Sequence, residues 1–473
     1  MIACLGAGVL LTACWLPEPA PLPPTTSAEL SSLACPTSSF CVAAGDYVQN
    51  GPNFPQDRPF FDVLASDHWA TEVPPLPTDA EGAEGHITSV ACASTTSCVA
   101  VGDYDVAGSA AEGLIDTLAN GTWTASRAPL PAGISTTGQG VFLTSVSCGS
   151  DGTCAAIGYV GPDVEEGSPF IETLSAGTWT VTAAPLPSDA GTLQLPTMLS
   201  GVSCGSARAC AVIGSYDGSD DGGALIDWLS SGHWVPLDAP APSLLDSIDA
   251  VSCIASGCTG VGSFSSLGTG EPTGGFADTL SGGTWTTVQV PSPADIDDTV
   301  GYTTMNFSSV SCASDATCAA IGDYENSAKV YVPFTESLVG GSWTARVVPL
   351  PANSTGPDYL AYPTIVSCAP ELHCTVIGSY YGSPSLLSKT GSAIFAYISS
   401  TSGGAWSSLE APVAPSGTGV TTSWLTSIAC PSSVLCFALG GYGSIASGLT
   451  AIIDTGFNVP GIPVSQIGAS LRS

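Results

Sequence analysis

The sequence predicts an all-β fold, a single eight-bladed β-propeller of four-stranded blades. Three observations predict it: paired cysteines recur at near-constant spacing, each recurrence carries the same four short apolar runs, and no run has helical periodicity. The pairs are Cys35 with Cys41, Cys92 with Cys98, Cys148 with Cys154, Cys204 with Cys210, Cys253 with Cys258, Cys312 with Cys318, Cys368 with Cys374, and Cys430 with Cys436. Steps between units are mostly 56 to 59 residues, with 49 and 62 as the extremes. Repeats of this length built from four strands are propeller blades. A β-helix has much shorter rungs, and seven blades plus an extra unit is the alternative count.

Within a unit, the first strand is a short alternating run such as Leu143-Thr-Ser-Val-Ser-Cys148, and the second opens on the next cysteine, Cys154-Ala-Ala-Ile-Gly-Tyr159. Small or apolar residues on both faces suit a strand packed between two other blades. The third strand is apolar around one acid, as in LIDTL (114–118). A tight Asn-Gly or Gly-rich turn, a hairpin signal, leads into a fourth strand that starts at a Trp and ends in Pro-Leu-Pro, as over 123–131.

The five-residue loop between first and second strands sets the two cysteines opposite each other, within reach of a disulfide. Zinc pairs use shorter spacings and recruit histidine, and the four His (68, 86, 233, 373) share no ligand spacing. Eight disulfides are therefore expected, each closing a loop worth about 2–3 kcal/mol, and they imply an oxidising compartment.

Two cysteines remain, Cys4 and Cys14. The start, MIACLGAGVLLTAC, resembles a bacterial lipobox. On that reading residues 1–14 are a lipoprotein signal segment and Cys14 carries the lipid. Residues 15–29 follow as a Pro-rich tether, and 30–473 are the propeller. The basic stretch usual in a signal is absent. A second reading uses the spacing from Trp15 to Pro21, which repeats that from Trp123 to Pro129. Residues 15–23 then become the outer strand that the eighth unit lacks. The lipoprotein reading is preferred because prolines are poor strand material, and it puts the protein on the outer face of the cell membrane.

Net charge is −33, from 40 acids and only 7 Lys and Arg. A basic surface for phosphates is missing, so nucleic acid and anionic lipid are excluded as partners; no apolar run reaches the roughly 18–20 residues of a membrane span. Few charges with abundant Ser, Thr and Gly fit a secreted, acid-tolerant protein. The third-strand acids Asp62, Asp116, Glu172, Asp227, Asp278, Glu336 and Asp454 recur, with Ala396 in the seventh unit. Trp69, Trp123, Trp179, Trp234, Trp285 and Trp343 lie seven residues after the first six. A group repeated in every blade holds blades together, so these are structural, the acids accepting hydrogen bonds.

The S-V-S-C-x5-C-x-[AV]-[IV]-G strand pair with its GTWT turn resembles the secreted repeat proteins of actinobacteria and relatives, in the sialidase/BNR-like propeller group. That resemblance implies the fold. It does not carry glycosidase activity, because the Asp-box is missing at the turns (LSAGTW, 174–179). Arg58, Arg127, Arg208 and Arg346 also occupy unlike positions in their units.

The variable connections are the second-to-third loops and the inter-blade loops, which share the top face; function concentrates in such loops. The binding candidates there are Asp217, Asp220, Asp221, Asp295, Asp297, Asp298, Tyr302, Tyr380 and Tyr381. Asp217, Ser219 and Asp221 begin a calcium-loop pattern whose twelfth position is Trp228 instead of Glu. Calcium is the one cofactor this offers. The sequence thus points to a non-catalytic, surface-anchored monomer binding a protein or polysaccharide, with a carbohydrate-active hydrolase or lyase as the alternative.

Overall fold

The computed structural model describes residues 3–7, 10–23, 27–50, 55–106, 110–134, 138–188, 190–191, 196–216, 223–240, 245–265, 274–297, 305–354, 361–369, 373–382, 393–402, 405–412, 422–444 and 448–463. They form eight antiparallel sheets arranged as the blades of a propeller, and the described residues include no helix. Blade one is Ala28–Thr37, Phe40–Asn50, Pro55–Ala65 and His68–Glu72, from the channel outward. Blades two to seven repeat that order, with inner strands Ala80–Ser94, Gly140–Cys148, Met198–Ser206, Leu245–Ile254, Met305–Ser314 and Ala361–Ala369.

Apolar side chains from facing blades build at least one cluster per interface. Val42, Ala44 and Phe61 of blade one meet Ile87, Val90 and Leu114 of blade two. Leu30, Leu33 and Phe60 close the ring against Phe437, Leu439 and Ile453 of blade eight. The turn tryptophans reach backward across these interfaces: Trp123 packs on Phe61 with centroids 4.3 Å apart, and Trp234 Nε1 donates to Thr173 Oγ1 at 2.9 Å. The turns themselves have left-handed backbones, Asn120 (φ 52°) before Gly121 (φ 80°), as two-residue hairpin loops need.

All eight expected disulfides are present, one at the base of each blade's inner hairpin. They join Cys35 to Cys41, Cys92 to Cys98, Cys148 to Cys154 and Cys204 to Cys210 in blades one to four. In blades five to eight they join Cys253 to Cys258, Cys312 to Cys318, Cys368 to Cys374 and Cys430 to Cys436. Their Cα–Cα distances are 4.0–4.1 Å, the close approach that directly opposed strand residues allow. The glycine of the second strand also has a cause. Each inner strand carries a β-bulge, and a Cβ on Gly102 would lie 1.9 Å from the His86 carbonyl oxygen. Gly45, Gly214, Gly322 and Gly440 face the same obstruction.

Blade eight departs from the preferred reading of the N-terminus. Its strands are Thr422–Ser432, Leu435–Ser444 and Gly448–Pro463, followed outward by Leu10–Pro19 and Ala3–Ala7. Trp15 pairs with Gly456, two residues past Asp454, as Trp123 pairs with Leu118, two past Asp116. It is 1% exposed and packs against Ile377 and Ile398 of blade seven. Residues 15–19 are thus strand and not tether. Their prolines are tolerated because this is an outer strand, where a missing N–H can face away from the ladder. Cys14 is buried and disulfide-bonded, and the residue opposite it in the register is Cys4. A sulfur in a disulfide cannot also carry a lipid, so the disulfide and a lipidated Cys14 are mutually exclusive states.

Candidate functional site

Construction of the site starts at the innermost strands. The bulge residue of each is Ser31, Thr88, Thr144, Ser200, Asp249, Ser308, Thr364 or Thr426. Thr88 Oγ1 lies 3.0 Å from the Val101 carbonyl of its own blade and 2.8 Å from the Leu143 carbonyl of the next. Thr426 donates to the Leu30 carbonyl at 2.8 Å, joining blade eight to blade one. Just below, both serines of S-V-S-C accept backbone N–H groups from the following blade. Ser89 takes Val146 N at 3.2 Å, and Ser147 takes Cys204 N at 2.9 Å. Ser203, Ser252, Ser311 and Ser367 repeat the second contact. Neighbouring inner strands are too splayed to pair, and serine hydroxyls supply the missing partners. The motif is therefore an inter-blade seam, which the spacing of its cysteines could not reveal.

Two residues before each bulge, at the top end of the channel, uniformity stops. The eight positions are Glu29, His86, Phe142, Met198, Ser247, Asn306, Tyr362 and Trp424, eight different residue types. Each escapes burial while the next residue along, such as Leu30 or Ile87, is buried in a blade interface. On innermost strands, solvent reaches a side chain through the channel, so these residues rim its mouth. Phe142 stacks on Tyr159 at 5.2 Å, and Tyr362 is 41% exposed.

The rim is electrostatically tuned. His86 Nδ1 lies 3.3 Å from Asp46 Oδ2, and Asp46 Oδ1 accepts Ile87 N at 3.1 Å. Hydrogen bonding to Asp46, helped by the charges of Asp46 and Asp103, pushes His86 up to about 9. Burial pushes Asp46 up, although His86 and the Ile87 N–H pull the other way. His86 is therefore held as imidazolium at neutral pH beside the Asp46 carboxyl. Burial also raises Asp103 and Asp249 to about 6 each and moves Asp323 in the same direction. Asp249 breaks the serine/threonine pattern of the bulge and accepts Phe307 N at 3.4 Å.

Of the loop candidates, Asp217, Ser219, Asp220, Asp221, Asp298 and Tyr302 lie outside the described residues. The others are mostly occupied in the scaffold. Asp295 accepts the Tyr324 hydroxyl at 2.6 Å, and Tyr380, 1% exposed, donates to Asn353 at 2.9 Å. Tyr104 makes the same contact with Asp79 at 3.1 Å. This second-strand Tyr therefore clamps the turn after Pro-Leu-Pro. Asp297 is 4% exposed and paired with Lys329. Tyr381, in the strand His373–Gly382, is half-buried. Among the described residues no group of three or more His, Cys, Asp or Glu could hold a metal ion.

The third-strand acids are fully buried, at 0% exposure, but they do not accept the hydrogen bonds expected of them. Asp116, Glu172, Asp227, Glu336 and Asp454 have no protein partner on either carboxyl oxygen. Their cross-strand neighbours are Ala125, Val181, Pro236, Ala345 and Pro17, none with a hydroxyl. Desolvation pushes the first four up to about 8, and Asp454 well above its ordinary value. Asp62 differs, because Thr71 Oγ1 lies 2.7 Å from Asp62 Oδ1 and 2.5 Å from the Pro21 carbonyl oxygen. One hydroxyl proton cannot serve both acceptors, and a carbonyl has none to give. Asp62 must therefore donate as a carboxylic acid, in keeping with a carboxyl pushed up to about 7. Asp278, Thr287 and the Pro240 carbonyl repeat the relay. In blade seven this position is Ser399, not Ala396: it pairs with Ser408, which bonds the Pro349 carbonyl. A neutral hydroxyl there fills the role that Asp62 and Asp278 fill in their relays.

No family model and no curated protein matches the chain. Solved propellers do. The WD40 domain of SCAP from fission yeast is 8% identical over 94% of this chain and 98% of its own, with a TM-score of 0.47. The polysaccharide lyase Uly1 is 8% identical over 93% and 91%, with a TM-score of 0.44. A subtype N11 neuraminidase-like protein from a flat-faced bat influenza virus is 12% identical over 85% and 94%, with a TM-score of 0.34. Sialidase-like and lyase propellers are thus among the similar structures, and likeness at this level is one of fold.

Proposed function

We propose that the protein is an exported, monomeric, non-catalytic propeller that binds a polysaccharide or protein segment at the channel mouth and surrounding top face. The observation that carries this is the rim of eight unlike side chains set on inner strands that are otherwise nearly uniform. Exposed aromatic surface beside carboxylates, an amide and an imidazolium suits hydroxyl-rich sugar rings, which gives the polysaccharide precedence. Eight disulfides support an oxidising, extracellular setting. Anchoring through a lipid on Cys14 would require its disulfide to be given up, so the disulfide favours release over anchoring.

Binding to a panel of cell-wall polysaccharides, measured by affinity electrophoresis, tests the reading. Tyr362→Ala and Asn306→Ala, both at exposed positions, should weaken retention at least several-fold without loss of fold. Unchanged retention in both would refute it. The second reading, a glycoside hydrolase or lyase at the same mouth, draws support from Asp103 and Asp249, carboxyls raised to about 6. Reducing-end or unsaturated-product assays decide between the two.

A further inference from the structure

On the bottom face, opposite the channel mouth, blades four and five enclose a cleft of about 850 Å³ lined by Arg208, Trp228, Ser230, Ser231, Ser256 and Gly283 among others. That volume lies within the range of small-ligand sites. Three departures from the repeat meet here. The cysteine loop of blade five is one residue shorter, with a separation of 5 where the others have 6. Trp228 stands where neighbouring blades have Thr173 and Thr279, and it disrupts a contact. Thr173 accepts the indole N–H of Trp234 across one interface, whereas Trp285 Nε1, facing Trp228 across the next, is buried without a partner. At this interface an aromatic face stands where Thr173 offers a hydroxyl to Trp234.

The third departure is Arg208, placed in a cysteine loop. Arg127 is paired with Glu112, Lys329 with Asp297, and Arg58 is bonded to Gln56 and the Gly82 carbonyl. The Arg208 guanidinium has no such partner among the described residues, although acids are close by. Asp151 is taken up by the N–H groups of Ala207 and Thr153, and Asp315 by the Ser256 hydroxyl. In a chain of 7 bases and 40 acids, an unpaired guanidinium beside a partly open indole is complementary to a ligand that has both a carboxylate and a flat apolar face.

We propose that this cleft binds a uronate residue of an acidic polysaccharide. The carboxylate takes the bidentate fork of Arg208, the C–H face of the pyranose lies on Trp228, and the ring hydroxyls reach Ser230 and Ser231. The site is on the face opposite the channel mouth and stands independently of it. Titration with tetragalacturonate, followed by tryptophan fluorescence and calorimetry on the intact protein, tests the proposal. Saturable binding is expected, weakened at least tenfold in Arg208→Ala. The fluorescence response should vanish in Trp228→Thr, which restores the threonine of the neighbouring blades and with it an acceptor for Trp285, so that variant should fold. Tyr362→Ala should leave this binding unchanged, which separates the site from the channel mouth. Absence of saturable binding, equal binding of the neutral galactose tetramer, or wild-type affinity in both cleft variants would overturn it.

Discussion

If the third-strand acids are neutral carboxylic acids, stability must fall as pH rises, and Asp278 gives a measurable case. Its carboxyl moves from 3.8 in an ordinary setting to about 7 when folded. The folded form therefore holds a proton that the unfolded chain releases above pH 4. The contribution is complete below that pH, declines through the interval, and is gone above about 7. Three pH units at about 1.36 kcal/mol each give roughly 4 kcal/mol. A chain this long has an unfolding entropy of about 1 kcal/mol/K, so the effect is about 4 °C in melting temperature. Asp278→Asn keeps a donor for Thr287 and removes the titration. Scanning calorimetry of both proteins at pH 4 and pH 7.5 should show the wild type losing about 4 °C more than the variant. Equal losses would mean that Asp278 is ionised when folded, and the relay argument would fail. A protonated carboxyl stretch in the infrared spectrum, reduced in the variant, checks the same point directly.

Other outcomes follow from the seams and the closure. Trp15→Ala should destabilise by about 3–5 kcal/mol, as for a buried Trp, in denaturant melts; no change would mean the N-terminal strand is undocked in solution. Ser203→Ala leaves Cys253 N without its acceptor and should cost about 1–3 kcal/mol in the same assay. Nuclear magnetic resonance titration of His86 should give a value near 9 that falls toward 6.5 in Asp46→Asn. Because the folded value is raised, the pair's small stabilisation is present below about pH 6.5 and is lost as pH rises through 9.

The cysteine spacing, the Trp-Gly turns and the 56-residue period made the ring and its disulfides legible, because each is a local signal repeated many times. The buried acids were visible too, but their protonation was not. It depends on a cross-strand neighbour, Thr71 or Ala125, and on a proline carbonyl from another blade. The seventh position is Ser399 rather than Ala396, because the register is set by Trp406, which pairs with Thr401. The channel rim was missed for a related reason: residues such as His86 and Asn306 are ordinary in their own units and form a set only when the ring closes. At the N-terminus the Trp15–Pro21 spacing and the leftover cysteine support different readings, a closing strand and a lipidated Cys14.

Closure by Leu10–Pro19 also constrains how the molecule comes into being. An early strand must wait for a late one, since Trp15 docks beside Gly456 and Thr426 bonds the Leu30 carbonyl from 396 residues away. Until then the third strand of blade eight is a bare edge, and the waiting segment from one chain is an equally good fit for another. Folding at high concentration should therefore produce strand-exchanged chains whose ends are joined head to tail. Dilute refolding should yield single rings.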